Sequence, residues 1–188
     1  MAALRIEGYV IVSADGMLAN AQGVMPNRLK FEGDKQVFTA ALDRADLIVH
    51  GRNSFEDQPN SPKRERIVLT RGIGAVAPDP SNPKATLWNP AGASFEAACE
   101  QAGVRSGTIA IIGGPYVFGM FMDRYDTFWL SRAPQVRLPG GEPCFPGVPA
   151  QSPQAILAAH GLKAGNALIL DAANDVSVTP WQRHALTN

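Results

Sequence analysis

The chain has 188 residues, 17 basic and 17 acidic side chains, and 45% hydrophobic residues. That length and apolar content suit one domain over residues 1–188, and zero net charge excludes a basic face broad enough for nucleic acid or an acidic membrane. Cys99 and Cys144 are far apart, His50, His160 and His184 show no metal-ligand spacing, no run is long enough to span a bilayer, and the first residues lack the apolar core of a signal peptide; the expectation is a cytoplasmic protein with reduced thiols and no metal.

Residues 5–12 read as a first strand, partly alternating and then apolar. Ser13-Ala14-Asp15-Gly16 ends it at an Asp-Gly turn, and the loop on to Pro26-Asn27 is long enough to act as a lid. A helix opens at Gly33-Asp34, with Asp34 as its N-cap and Val37, Phe38, Ala41 and Leu42 at helical spacing. Residues 47–51 form a second, buried strand, and its terminal glycine opens Arg52-Asn53-Ser54-Phe55-Glu56, which reads as another helix start. A polar loop covers residues 57–66, and residues 67–72 form a third strand with a basic end. Pro78, Pro80 and Pro83 mark an irregular link before a short strand at residues 86–88, and Ser94 caps a helix running to residue 102.

Residues 108–122 organise the rest. Ile109-Ala110-Ile111-Ile112 is wholly apolar, as in a strand buried on both faces, and Gly113-Gly114 then breaks it before an apolar-periodic segment that winds as a helix. A strand that ends in bare glycine backbone at a helix start offers N–H groups to a phosphate, although a plain tight turn uses the same residues. Residues 126–131 are a further strand, residues 134–149 are rich in Pro and Gly, residues 153–162 form a short helix, and residues 167–171 and 175–180 pair as a hairpin. Strands alternating with helices predict an α/β three-layer sandwich whose central sheet is mostly parallel, with antiparallel strands at its C-terminal edge. Ligands in such sheets sit at the carboxyl ends of the strands, where the glycine breaks fall.

This order of pieces resembles the dihydrofolate reductase superfamily, which includes dihydrofolate reductase and the pyrimidinone reductase domain of riboflavin synthesis. The pieces are Ser13-Ala14-Asp15-Gly16, Met25-Pro26, Asp34 with Phe38, residues 51–56, Ile67-Val68-Leu69-Thr70-Arg71, Ile112-Gly113-Gly114 and Phe145-Pro146, over residues 5–147. The resemblance implies a dihydrofolate reductase-like fold and NADPH as cofactor. It places the pyrophosphate at Gly113, Gly114 and the helix start at Val117, and a second phosphate seat at Gly51, Arg52 and Ser54. Thr70 and Arg71 fall at the adenosine 2′-phosphate, where a guanidinium gives charge-assisted bonds. Ala14, Gly16 and Leu18 fall at the nicotinamide pocket and its lid.

The resemblance also makes Asp34 the catalytic carboxylate, facing the aminopyrimidine edge of the substrate, with Phe38, Arg64 and Ser131 as substrate-binding partners. It implies a reductase of pyrimidine- or pterin-like rings, of the riboflavin-pathway 5-amino-6-(5-phosphoribosylamino)uracil reductase type, paired as a homodimer. Dihydrofolate reductase proper, a non-catalytic NADPH-binding module and an unrelated flavodoxin-like phosphate binder are the alternatives. Plainer readings stand beside these roles: Asp34 as a bare helix cap, Asp15 as a turn residue, and Arg64 as part of a solvated charged loop. Tyr9 stands where riboflavin-pathway reductases carry a lysine, and Ile112 where they carry an acid, so the substrate half departs from the pattern more than the cofactor half.

Overall fold

Apolar runs of four to seven residues separated by glycine and proline produce short strands wound about by helices. The computed structural model describes residues 3–184, and the ends of the expected 1–188 domain lie outside the described residues. In chain order the elements are β1 (Leu4–Ser13), β2 (Met17–Ala19), α1 (Glu32–Arg44), β3 (Leu47–Gly51), β4 (Arg66–Leu69), β5 (Val76–Pro78), β6 (Ala85–Trp88) and α2 (Phe95–Gln101). They continue with β7 (Gly107–Gly113), α3 (Pro115–Met120), β8 (Thr127–Ala133), β9 (Glu142–Pro143), α4 (Pro153–Ala159), β10 (Leu162–Ala164), β11 (Leu168–Asp171) and β12 (Val176–Arg183).

The main sheet runs β10-β12-β8-β1-β7-β3-β4-β6-β5, with β11 also on β12. The six central strands from β8 to β6 pair in parallel, β12 lies antiparallel on β8, and β10 and β11 lie antiparallel on β12. The expected mostly parallel sheet with antiparallel C-terminal edge strands is therefore the observed one. At the opposite edge, β5 pairs antiparallel with β6 inside the stretch expected to be irregular. Met17–Ala19 and Glu142–Pro143, both expected as loop, form a separate two-stranded ladder that ties the first loop to the Pro/Gly-rich segment.

Strand alternation sorts the two faces. Leu47, Val49, Ile109, Ile111, Phe128 and Leu130 join the large core packed under α2, α3 and α4. Ile48 and Ala110 face the other way, onto Leu42 of α1 with Phe38, Tyr9 and Ile112 around them. The capping hydroxyl of Ser94 accepts from Ala97 N–H at 3.1 Å, as expected. Two local expectations fail. Helix α1 starts at Glu32 with Phe31 as N-cap, so Asp34 is its third residue and its carboxylate is not spent on capping. No helix follows Gly51: residues 52–60 are loop, because Glu56 turns inward to buried arginines and Pro59 and Pro62 interrupt the run.

Candidate functional site

On the α1 face, a cleft of about 1170 Å³ runs from beneath the helix to the carboxyl ends of β7 and β3. Gly33 lets α1 sit low over the sheet edge: a Cβ there would lie 2.2 Å from Leu170 O of β11. The next residue, Asp34, is thereby brought over β8, half-buried, with Ser131 as its partner. Burial pushes the Asp34 carboxyl above its ordinary value, and the neighbouring Ser131 hydroxyl offsets only part of that rise. A carboxyl in this condition can accept from a paired N–H and NH₂ edge and keeps its proton to a higher pH than an exposed carboxyl does. Phe38, one turn further along α1, lines the same cleft.

At the other end lie the glycine breaks. Gly113, Gly114 and Ser54 all line the cleft, and a Cβ on Gly114 would fall 3.2 Å from Ser54 Oγ. Gly51 closes the group, since a Cβ on it would lie 3.9 Å from Gly114 N and 3.7 Å from Val117 Cγ2. The Gly113–Gly114 peptide is cis, and Gly113 has a φ of 120°, a region where side chains are strained. The first-turn amides of α3 at Tyr116 and Val117 have no carbonyl partner within their own helix. Gly51 pairs with Leu69 of β4, so Thr70 and Arg71 leave the sheet at the same carboxyl edge. Arg52 and Arg71 are exposed there and do not line the cleft, and Thr70 Oγ1 accepts from Gly72 N–H at 3.0 Å. Residues 51–54, 70–71 and 113–117 thus share one edge formed by three adjacent strands. Bare backbone flanked by two solvent-facing guanidiniums suits a phosphorylated ligand, so this edge and NADPH are compatible.

The remaining expected positions are less uniform. Leu18 lines the cleft, whereas Ala14 and Gly16 sit behind it. Ala14 N–H donates to Val136 O at 2.7 Å, and a Cβ on Gly16 would lie 2.7 Å from Val148 Cγ1. Asp15 is a turn residue held by Ser13 Oγ at 2.5 Å and the Leu138 amide at 3.0 Å. Arg64 is neither in the cleft nor solvated. It is 7% exposed, and its guanidinium meets Glu56 at 3.0 Å and Asp43 at 2.6 Å.

That arrangement belongs to a buried network the linear sequence did not reveal. Arg66 is 1% exposed. It donates to Glu56 Oε1 at 2.8 Å, to Ser61 O and Oγ at 3.0 Å, and faces His50 Nε2 at 3.0 Å. His50 Nδ1 lies 2.7 Å from Gly51 O, so Nδ1 carries the proton and Nε2 accepts from Arg66. Phe55 packs over the Arg66 guanidinium, 4.8 Å from ring centroid to Cζ. The network braces residues 53–58, which form one wall of the cleft, without a helix. The only sequence signal was an apolar strand, residues 66–69, entered by an arginine.

The parallel sheet, its antiparallel C-terminal strands and a cleft opening at the glycine breaks define a dihydrofolate reductase-like α/β fold. One solved structure like it is a protein from Shewanella sp. PV-4, provisionally named for riboflavin biosynthesis: TM-score 0.66, 20% identity, 96% of this chain and 99% of that one covered. Another is the dihydrofolate reductase of Enterococcus faecalis, solved with NADP(H) and RAB-propyl, with a TM-score of 0.65, 18% identity, and 96% and 97% coverage. No protein-family model matches the chain, and no curated protein matches it in sequence. With these neighbours, the flavodoxin-like alternative is set aside. Among the described residues, no helix is long and apolar enough to cross a membrane.

Proposed function

We propose that this chain is an NADPH-dependent reductase of a pyrimidine- or pterin-like heterocycle, of the riboflavin-pathway 5-amino-6-(5-phosphoribosylamino)uracil reductase type. One observation carries the reading: a single cleft joins the Asp34–Ser131 pair to the glycine edge at Gly113-Gly114 and Ser54. In it, Gly51, Gly113, Gly114 and the start of α3 at Val117 hold the pyrophosphate, with Arg52, Thr70 and Arg71 toward the far phosphate. NADPH, when bound, supplies the hydride. Asp34 accepts hydrogen bonds from the amino edge of the ring, and its raised pKa lets it keep a proton available to the ring nitrogen that must gain one. Ser131 fixes the carboxyl's orientation, Phe38 covers one ring face, and Leu18 guards the lid side. Arg64, committed to Glu56 and Asp43, has no part in it.

A homodimer and a cytoplasmic setting belong to the same proposal. Exposed Leu168 and Ile169 on β11 support the first, and two buried free thiols, Cys99 and Cys144, agree with the second. Dihydrofolate reductase proper is a second reading, favoured by the Asp34–Ser131 pair. A third, a binding module without turnover, is favoured by Tyr9 and Ile112 in place of the lysine and acid of riboflavin-pathway enzymes.

The deciding experiment is a thermal-shift series with NADPH, NADH, FMN, dihydrofolate and a pyrimidinone analogue, followed by NADPH oxidation assays. At a hundredfold excess over Kd, a ligand of the folded state adds about 2.7 kcal/mol, or roughly 5–11 °C for a chain of this size. NADPH should give that rise and NADH less. No shift with NADPH would end the proposal, and a shift without turnover on any ring substrate would leave the binding module.

A further inference from the structure

His50 is a buried titratable residue outside the cleft, yet it sits at the level of the glycine edge. In the β3–β7 register it lies opposite Gly113. It is 1% exposed and does not line the cleft. The carbonyl of the next residue, Gly51, accepts from His50 Nδ1–H at 2.7 Å and from the Ser54 amide at 3.1 Å. Those two donors close the 51–54 turn. The turn sets Ser54 Oγ beside Gly114, where a Cβ would fall 3.2 Å from it. Phe55 then leaves the turn edge-on to the His50 ring, with centroids 5.9 Å apart.

The far nitrogen of the same ring faces buried charge. Nε2 accepts from Arg66 Nη1 at 3.0 Å, and Arg66 Nε finds no acceptor among the described residues. The charged groups around His50 are Arg66 of β4 and Glu56 of the 52–60 loop. Arg64 joins through Glu56, and Asp43 of α1 through Arg64, while β7 carries no charged side chain. With His50 neutral, two guanidiniums face two carboxylates. A proton on Nε2 removes the acceptor, sets imidazolium against guanidinium and leaves the cluster with a charge in excess. Burial holds the His50 pKa down, the Gly51 bond and Glu56 draw it back up, and the Arg66 charge lowers it further.

We infer that His50 is a positioning residue whose neutral ring holds the 51–54 turn against Gly114, so that proton uptake at Nε2 loosens the turn and weakens binding of a phosphate-bearing ligand at the glycine edge. The inference rests on the reductase reading only for the identity of that ligand. Nδ1 keeps its proton in both states, so the change enters through Arg66. Its guanidinium turns away from Nε2, and Phe55, packed over that guanidinium at 4.8 Å, moves with it. Affinity therefore falls as pH drops through the lowered His50 value. An imidazolium that merely attracted the anion would give the opposite slope.

The test follows ¹⁵N-labelled full-length chain, free of ligand, from about pH 7.5 to 5, the range in which an imidazole titrates. The His50 ring nitrogens, identified by their loss in His50→Gln, should start with the proton on Nδ1. The Ser54 and Gly114 amides should shift with the midpoint of Nε2 protonation, while Ile111 in the core of β7 stays in place. NADP⁺, which is stable in acid, is then titrated over the same range. Its Kd should rise on acidification at least about fivefold more in wild type than in His50→Gln, which keeps an acceptor for Arg66 and cannot titrate. Comparing the two proteins cancels the titration of the ligand's own phosphate and of Asp34. If His50→Gln does not fold, His50→Asn, which cannot titrate either, takes its place. A ring that takes up no proton over the range, a Ser54 amide that ignores its midpoint, an Ile111 that moves with it, equal pH profiles in the two proteins, or tighter binding in acid overturns the inference. If NADP⁺ binds at no pH, the reductase reading falls, and the ligand-free Ser54 titration alone decides the role of His50.

Discussion

Replacing Glu56 with alanine removes the anion between two buried guanidiniums. Its oxygens lie 2.8 Å from Arg66 Nη2 and 3.0 Å from Arg64 Nη1, and the three side chains are 6%, 1% and 6% exposed respectively. Neither arginine can reach bulk water without moving the 53–58 wall, so the loss strands buried charge. Breaking one partner from such a pair costs about 3–5 kcal/mol, a large share of the roughly 5–15 kcal/mol that holds a domain together. For a chain of this size that is a fall in melting temperature on the order of 6–20 °C. Thermal and urea melts followed by circular dichroism at pH 7 read it directly. Burial pushes the Glu56 carboxyl up, but hydrogen bonds from Arg66, Ser61 and the Gln58 amide and the charge of Arg64 outweigh it and hold the group below its ordinary value. Its stabilisation is therefore complete above the ordinary carboxylate range and lost as pH falls through the lowered folded value. Wild-type and Glu56→Ala melting temperatures should converge in strong acid. A fall of less than about 2 °C at pH 7, or a difference that persists in acid, would refute the network as a brace.

Asp34→Asn should lower turnover by about 10²–10⁴-fold and leave NADPH binding intact, as read by oxidation assays and thermal shift. The raised Asp34 pKa means its ionised form is disfavoured in the folded state, so stability falls as pH rises through that window; the asparagine variant should melt higher than wild type at neutral pH. Burial, then the nearby Arg66 charge, hold the His50 pKa below its ordinary value despite the bond to Gly51 O. The unfolded chain thus takes up that proton first, and stability should drop as pH falls below about 6.5; a melting series should show a flatter slope in His50→Asn. Gly33→Ala drives a Cβ to 2.2 Å from Leu170 O, which should cost about 1–3 kcal/mol and lift Asp34 from Ser131; an unchanged urea midpoint would contradict the close approach.

Much of the fold was legible because buried parallel strands carry their own signature. Residues 47–51 and 107–113 are near-continuous apolar runs ended by glycine, and the Ser94 cap sits before its helix, all local facts that tertiary structure did not overrule. The carboxyl-edge meeting of Gly51, Thr70 and Gly113 followed from strand-helix alternation, since parallel strands put their exits together. The site's other parts depend on partners distant in sequence. Residues 52–56 looked like a helix start, but Arg66 and Arg64 capture Glu56 and hold the segment as loop. Asp34 looked like a cap, but the fit of Gly33 against Leu170 sets where α1 begins to pack, which frees the carboxylate to face Ser131. Glu7 carried no signal of its own in the sequence; the β1–β8 register puts Tyr9 beside Trp129, and both rings donate to the Glu7 carboxylate. Periodicity and turn chemistry act over a few residues and can be read in one dimension. Charge pairing and ring contact act through space, so they were decided only when the sheet brought distant strands together.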